Sequence, residues 1–410
     1  MRRSHAHLAL ACLVLACHAA PPAARSAAHP AAPPAETIAH PAAADAPAPR
    51  FELVESTPLE TALDHKDIAD AADVWLAMIQ GARRSIDFAE FYAVDRPPSR
   101  LAPIIAAVEA AIARGVRVRF LAEQSFVAIY PDTLARLARA GAAIRHLDLK
   151  HVPGGGGVLH AKYFIVDDRD AFFGSQNLDW RALDHNYELG ARVSLPGVVG
   201  GLAAIFAADW ARAGGEAVPA AAPVAHADAA IRFVASPKEL LPAGVAWDLP
   251  AIVAAIDGAT TSITVEALDY RADGWTELEA PLIRAAGRGV AVELLFADWA
   301  KRAKWIAGLQ RLAAIPHITV KLTTIPAWSG GFVPYARVSH AKAMVVDGVH
   351  GWLGTSNWSQ DYFYATRNVG VMIDDPALVG QLVTFFATLW DAPYAMTVDP
   401  KATYTPPRIE

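Results

Sequence analysis

Cysteine is almost absent from this chain of 410 residues: there are two, Cys12 and Cys17, both close to the N-terminus. The chain beyond Cys17 has no disulfide, so its stability must come from packing. Charge is sparse, at 19% of residues, and the balance is acidic, with 36 Lys and Arg against 42 Asp and Glu and a formal net charge of −6. Such a surface does not hold duplex DNA by diffuse phosphate attraction, which draws on an excess of basic side chains. It leaves room for a local basic pocket that grips one phosphate. The apolar run Leu8 to Leu15 is far shorter than the ~20 residues a bilayer crossing needs. No cluster of carboxylates, His or Cys has metal-ligand spacing, so neither a metal nor another cofactor is expected.

The N-terminus has the layout of an export signal: Arg2 and Arg3, the apolar run, then small residues up to Cys17. Val14-Leu15-Ala16-Cys17 resembles a bacterial lipobox. Two readings stand, a lipoprotein anchored to a membrane through lipidated Cys17 and an ordinary signal peptide cut a few residues later. Either puts the mature chain outside the cytoplasm, in the periplasm or cell envelope. Residues 18–50 are mostly Ala and Pro, too poor in core-forming side chains to offset the entropy of ordering, and read as a tether.

From residue 51 onward the chain repeats itself. Helix-then-strand patterns at 75–90 and 252–267 match, with Gly81 recurring as Gly258 and Ser85 as Ser262. Arg114-Gly115 recurs as Arg288-Gly289, and HAKYFIVDDRDAFFGSQN at 160–177 as HAKAMVVDGVHGWLGTSN at 340–357. Strand periods of two alternating with helices indicate an α/β fold. The expected organisation is two pseudo-symmetric α/β lobes with mixed sheets, 51–225 and 226–410, packed together around one site at their interface.

Each repeat carries His-x-Lys, an Asp after four further residues, and Gly-Ser/Thr-x-Asn beyond that. Side chains two apart on a strand share a face, which groups His160 with Lys162 and His340 with Lys342. The turns holding Ser175 and Asn177, and Thr355 and Asn357, offer hydroxyl, amide and backbone N–H donors to an oxyanion. Two His, two Lys and two Asn brought together suit the oxygens of a phosphodiester and the two sides of an in-line displacement. Two half-sites in one chain remove any need for a protein partner. The aromatic group Trp352, Trp358, Tyr362, Phe363 and Tyr364 is expected in the core, with a stacking wall as the minority reading. Gly154 to Gly157 and 328–332 are expected as loops bordering the site.

The pattern resembles the HKD motif of the phospholipase D superfamily over nearly all of 51–410. The resemblance implies the phospholipase D fold and metal-independent phosphodiester hydrolysis. One His attacks phosphorus to form a phosphohistidine while the other protonates the leaving alcohol. Glu188 lies where the family places a carboxylate that orients a histidine, and the second half has Asn368 there. That asymmetry suggests Glu188 bracing His160 as the nucleophile, with His340 as the acid. Asp167 and Asp347 are expected to brace loops. GSQNLDWRAL (174–183) and GTSNWSQDYFY (354–364) resemble the endolysosomal exonuclease and poxviral envelope branch. The substrate stays open between phospholipid head groups and single-stranded nucleic acid; a catalytically weak, membrane-associated binding protein is the third reading.

Overall fold

A computed structural model describes residues 50–220, 228–271 and 274–410. The first half forms an eight-stranded sheet in the order Ala69–Asp70, Phe51–Ser56, Glu188–Val193, Asp170–Gly174, Tyr163–Val166, Ser85–Glu90, Arg117–Glu123, Ala143–Leu147. The last three strands run parallel, and the helices Ala102–Ala113 and Asp132–Ala140 supply the crossovers that parallel pairing requires. From Phe51–Ser56 to Tyr163–Val166 the pairing is antiparallel, and the short edge strand Ala69–Asp70 adds parallel to Phe51–Ser56. The second half repeats this order in a nine-stranded sheet that ends on the extra strand Ala395–Thr397. The α/β expectation and the mixed sheets agree with the structure.

Strand alternation sorts the core into three layers. Phe164 and Phe172 face outward with Trp75, Phe88 and Ile104 beneath the helices of the first half. Met344 and Trp352 do the same in the second half, with Ile252, Leu282 and Leu309. The opposite faces, through Tyr163, Phe173, Leu353 and Val371, share one middle core. Two long helices pass through that layer. Pro196–Ala213 packs on Ala143–Leu147 of the first sheet and Ile231–Ser236 of the second; Pro376–Trp390 packs on Phe51–Ser56 and Ala343–Val346. The described residues belong to one compact unit.

Strands of the first sheet lie within 51–193 and those of the second within 231–397. The division drawn at 225/226 falls in 221–227, outside the described residues, as do Cys12, Cys17 and all of the N-terminal segment before Arg50. Among the described residues no helix is long and apolar enough to cross a membrane.

The halves are joined by backbone as well as by core. The His160 N–H donates to the Arg367 carbonyl at 3.0 Å, and the Arg367 N–H to the Val158 carbonyl at 2.9 Å. In the mirrored place the His340 N–H donates to the Tyr187 carbonyl at 2.8 Å, and the Tyr187 N–H to the Val338 carbonyl at 3.0 Å. Each half therefore lays its His-x-Lys segment against the residue that precedes Glu188 or Asn368 in the other half.

Candidate active site

This stitching decides which side chains meet. Glu188 follows Tyr187, so it projects at the second-half histidine: His340 Nδ1 lies 2.7 Å from Glu188 Oε2. Asn368 follows Arg367 and meets the first, with His160 Nδ1 3.1 Å from Asn368 Oδ1. The expectation that Glu188 braces His160 is therefore corrected. The supporting groups are exchanged between halves, because the contact is made across the interface rather than within the repeat.

The Asn368 amide has a fixed orientation. Its Nδ2 donates to the Tyr362 carbonyl at 2.9 Å, and Oδ1 accepts from Thr355 Oγ1 at 2.9 Å. Oδ1 thus faces His160 as an acceptor, which places the histidine proton on Nδ1 and leaves the Nε2 lone pair free. Ser175 Oγ likewise donates to Glu188 Oε2 at 2.6 Å. Ser175 and Thr355 are fully buried, and their backbone N–H groups bond to the Leu189 and Val369 carbonyls at 3.0 Å each. The Ser175 and Thr355 hydroxyls and backbone N–H groups, expected as oxyanion donors, are instead spent on holding the histidine supports in place; the side chains of Asn177 and Asn357 remain at the cavity.

Lys162 and Lys342 are fully buried and Nζ of each bonds to the carbonyl of its own histidine. Phe91 lies under Lys162, with Nζ 5.0 Å from the ring centroid. Burial, then the Lys342 charge, holds Lys162 well below the ordinary lysine range, and burial pushes Lys342 down to about 8. Burial and then the neighbouring cations Lys162, Lys342 and His340 keep His160 well below the usual imidazole value. His340 is also lowered by burial, with Glu188 acting in the opposite direction. Burial alone would raise Glu188, but His340 beside it and the bonds it accepts hold it below the ordinary carboxylate value.

His160, His340, Asn177 and Asn357 open into one cavity of about 470 Å³. Each asparagine keeps a buried side-chain oxygen without a protein donor, and Asn177 Nδ2 donates to the Tyr92 hydroxyl at 3.2 Å. Asp167 and Asp347 act elsewhere, at the far end of their strands. Asp167 accepts the N–H groups of Arg83, Arg84 and Ser85, and Asp347 those of Thr260, Thr261 and Ser262. Both stand at positive φ, 53° and 54°, where Asp tolerates the left-handed region.

The aromatic group of the second repeat is largely core, as expected, and the wall of the cavity comes from other residues. Trp352, Trp358 and Phe363 are core and Tyr364 is exposed; of that group Tyr362 lines the cavity, edge-on to His160 with ring centroids 4.8 Å apart. The wall comes from Phe91, Tyr92, Phe126 and Tyr130, with Phe91 and Phe126 at 4.4 Å and Tyr92 and Tyr130 at 5.0 Å. Sequence reasoning missed it because these residues lie on two separate loops. It also missed Arg181 and Asn186, which line the cavity, and the buried acids Glu90 and Glu266. Both of the latter are raised by burial, Glu266 to about 8; each stands at or next to the C-terminal end of its strand, Ser85–Glu90 and Ser262–Ala267. The loop at Gly154–Gly157 is laid against the second half, with the Gly157 N–H bonded to the Ala365 carbonyl at 3.1 Å. Among the described residues no three His, Cys, Asp or Glu cluster as a metal site.

Comparison with known proteins fits this geometry. The family model described as cardiolipin synthase, PLD-like domain, matches the chain twice, at residues 75–210 and 252–390. Phospholipase D Z of Dictyostelium discoideum is 29% identical over 85% of this chain and 90% of its own. The 5′-3′ exonuclease PLD4 of Mus musculus is 29% identical over 85% of this chain and 79% of its own. Phosphatidylserine synthase of Haemophilus influenzae shares the fold, with a TM-score of 0.59 at 11% identity, over 80% of this chain and 85% of its own. With both half-sites opening into one cavity between matched repeats, the chain belongs to the PLD-like domain family and is a phosphodiesterase of the phospholipase D class.

Proposed function

We propose that this protein hydrolyses single-stranded nucleic acid from an end, with His160 as nucleophile and His340 as general acid. The observation that carries the division of roles is the unequal support of the two Nδ1 atoms. His160 rests on a neutral amide and has its basicity suppressed, so at neutral pH it is an uncharged ring with a free lone pair on Nε2. His340 rests on a carboxylate, which favours the imidazolium a proton donor must be. His160 Nε2 attacks phosphorus, the bond to the leaving oxygen breaks, and His340 supplies that oxygen with a proton. Water then gives a proton to His340 and its oxygen to phosphorus, and the P–N bond breaks. Lys162 and Lys342 hold the non-bridging oxygens throughout.

The substrate class is supported by the wall beside His160. Phe91, Tyr92, Phe126 and Tyr130 offer faces to a base, and such stacking contributes about 1–3 kcal/mol per base whatever the sequence. The exonuclease name of one relative agrees with this. A phospholipid substrate is the second reading, favoured by Ile129 and Tyr335, which line the cavity yet are 59% and 42% exposed. Export to the periplasm or cell envelope, with or without an anchor at Cys17, is proposed from the N-terminal pattern alone.

The test is to incubate the mature protein, with EDTA present, with end-labelled single-stranded DNA and with phosphatidylglycerol vesicles. Stepwise shortening of the DNA is expected. Head-group release with intact DNA would favour the lipid reading, and turnover of neither would favour a catalytically weak binding fold.

A further inference from the structure

The repeat supplies an internal control for the walls of the cavity. By its register Tyr92 corresponds to Asp269, and Arg181 to Asp361. One half therefore carries a phenol and a guanidinium where the other carries two carboxylates. Arg181 lines the cavity, with its side chain 8% exposed. Asp179 takes up Nε at 2.8 Å and Nη2 at 2.7 Å. Nη1 reaches the Pro334 carbonyl at 3.4 Å, and Nη2 the Tyr130 hydroxyl at 3.4 Å, both at the long limit of a hydrogen bond. The guanidinium also lies over the Tyr130 ring at 5.6 Å. Its plane is thus fixed by Asp179 and Tyr130, while the Nη1 edge keeps donor capacity. On the opposite side Asp269 is buried and paired through Oδ2 with Arg271 Nη2 at 3.1 Å, and the residues that line the cavity include neither Asp269 nor Asp361.

We propose that Arg181 is the anion-binding element of a second subsite, taking a phosphate group one linkage away from the diester being cut. The inference rests on the proposed function, in which a phosphodiester is seated between His160 and His340. A fixed guanidinium edge matches phosphate oxygens in a way that a point charge does not, and among the described residues lining the cavity Arg181 is the one lysine or arginine. Substrates with consecutive phosphates satisfy this arrangement; a diester with an uncharged or cationic alcohol on each side does not use it.

Calorimetric titration of the mature protein with thymidine 3′-monophosphate, thymidine 5′-monophosphate and thymidine 3′,5′-bisphosphate tests the subsite without turnover. The bisphosphate is expected to bind about tenfold or more tightly than the better monophosphate, the worth of a charge-assisted bond. Arg181→Gln should reduce that advantage to about twofold, and Arg181→Lys, which keeps the charge but not the fork, should retain part of it. An equal affinity for bisphosphate and monophosphate in the native protein would overturn the proposal. So would an undiminished advantage in Arg181→Gln or, should that variant melt early, in Arg181→Lys. Because binding is read directly, failure to cut single-stranded DNA would count against the proposed nuclease activity and not against the subsite.

Discussion

At the scale of single residues, the chemistry turns on two contacts that differ by one charge. Glu188→Gln keeps an acceptor for the Nδ1–H of His340 and removes the carboxylate that favours its imidazolium. The pKa of His340 then falls, less of it is protonated near neutrality, and the high-pH limb of the rate profile moves to lower pH. A displacement of about one to three units is expected from the loss of an adjacent opposite charge, with kcat at neutral pH falling by up to ~10²–10⁴-fold as general-acid catalysis is lost. Asn368→Asp does the reverse to His160: a charged neighbour raises its pKa, protonates the attacking nitrogen, and moves the low-pH limb upward. Profiles of kcat against pH for both variants check this. A low-pH limb moved downward by Glu188→Gln and a high-pH limb moved upward by Asn368→Asp would mean that the roles of the two histidines are exchanged.

At the scale of elements, the strands that carry the supports approach too closely for a side chain. A Cβ on Gly174 would lie 2.6 Å from the Gly190 Cα, and one on Gly370 2.8 Å from the Leu353 carbonyl. Gly174→Ala should cost about 1–3 kcal/mol as overpacking and should lower activity by displacing Ser175 and Glu188. Gly258→Ala, at a helix end with nothing within 4 Å, should leave the melting temperature close to native; equal effects of the two would contradict the close approach of the strands as the cause. Much at this scale was legible in the sequence. His-x-Lys on one face follows from the period of two of a strand, and the lobes follow from the repeat. The partner of each histidine was not legible. Glu188 and His340 are 152 residues apart, and their meeting depends on how two sheets dock rather than on any local spacing. The aromatic wall was hidden for the same reason, because two loops that look ordinary alone converge only in the folded chain.

At the scale of the whole molecule, the halves are held as one body by the middle core and by a buried ion pair. Arg367 is fully buried and pairs with Asp209 on the helix Pro196–Ala213, with Nε 2.7 Å from Oδ2 and Nη2 3.1 Å from Oδ1. It also donates to the Ser236 and Leu240 carbonyls. Removing one partner leaves a buried charge uncompensated, so Asp209→Ala should destabilise by about 3–5 kcal/mol. Denaturant unfolding should show that loss in a single transition. A half that melts separately would contradict the shared core. Activity should fall along with it, because the Arg367 carbonyl holds the His160 N–H. The docking of halves thus places the supports, the supports make the histidines unequal, and the inequality assigns their roles. The most direct test is to trap the covalent intermediate. His340→Ala lacks both the proton donor and the base that activates water, and a diester with a p-nitrophenyl leaving group needs no acid to depart. Mass spectrometry of peptides from that variant after reaction should find the phosphoryl group on His160. Label on His340 in the His160→Ala variant, with none on His160 in the His340→Ala variant, would contradict the account.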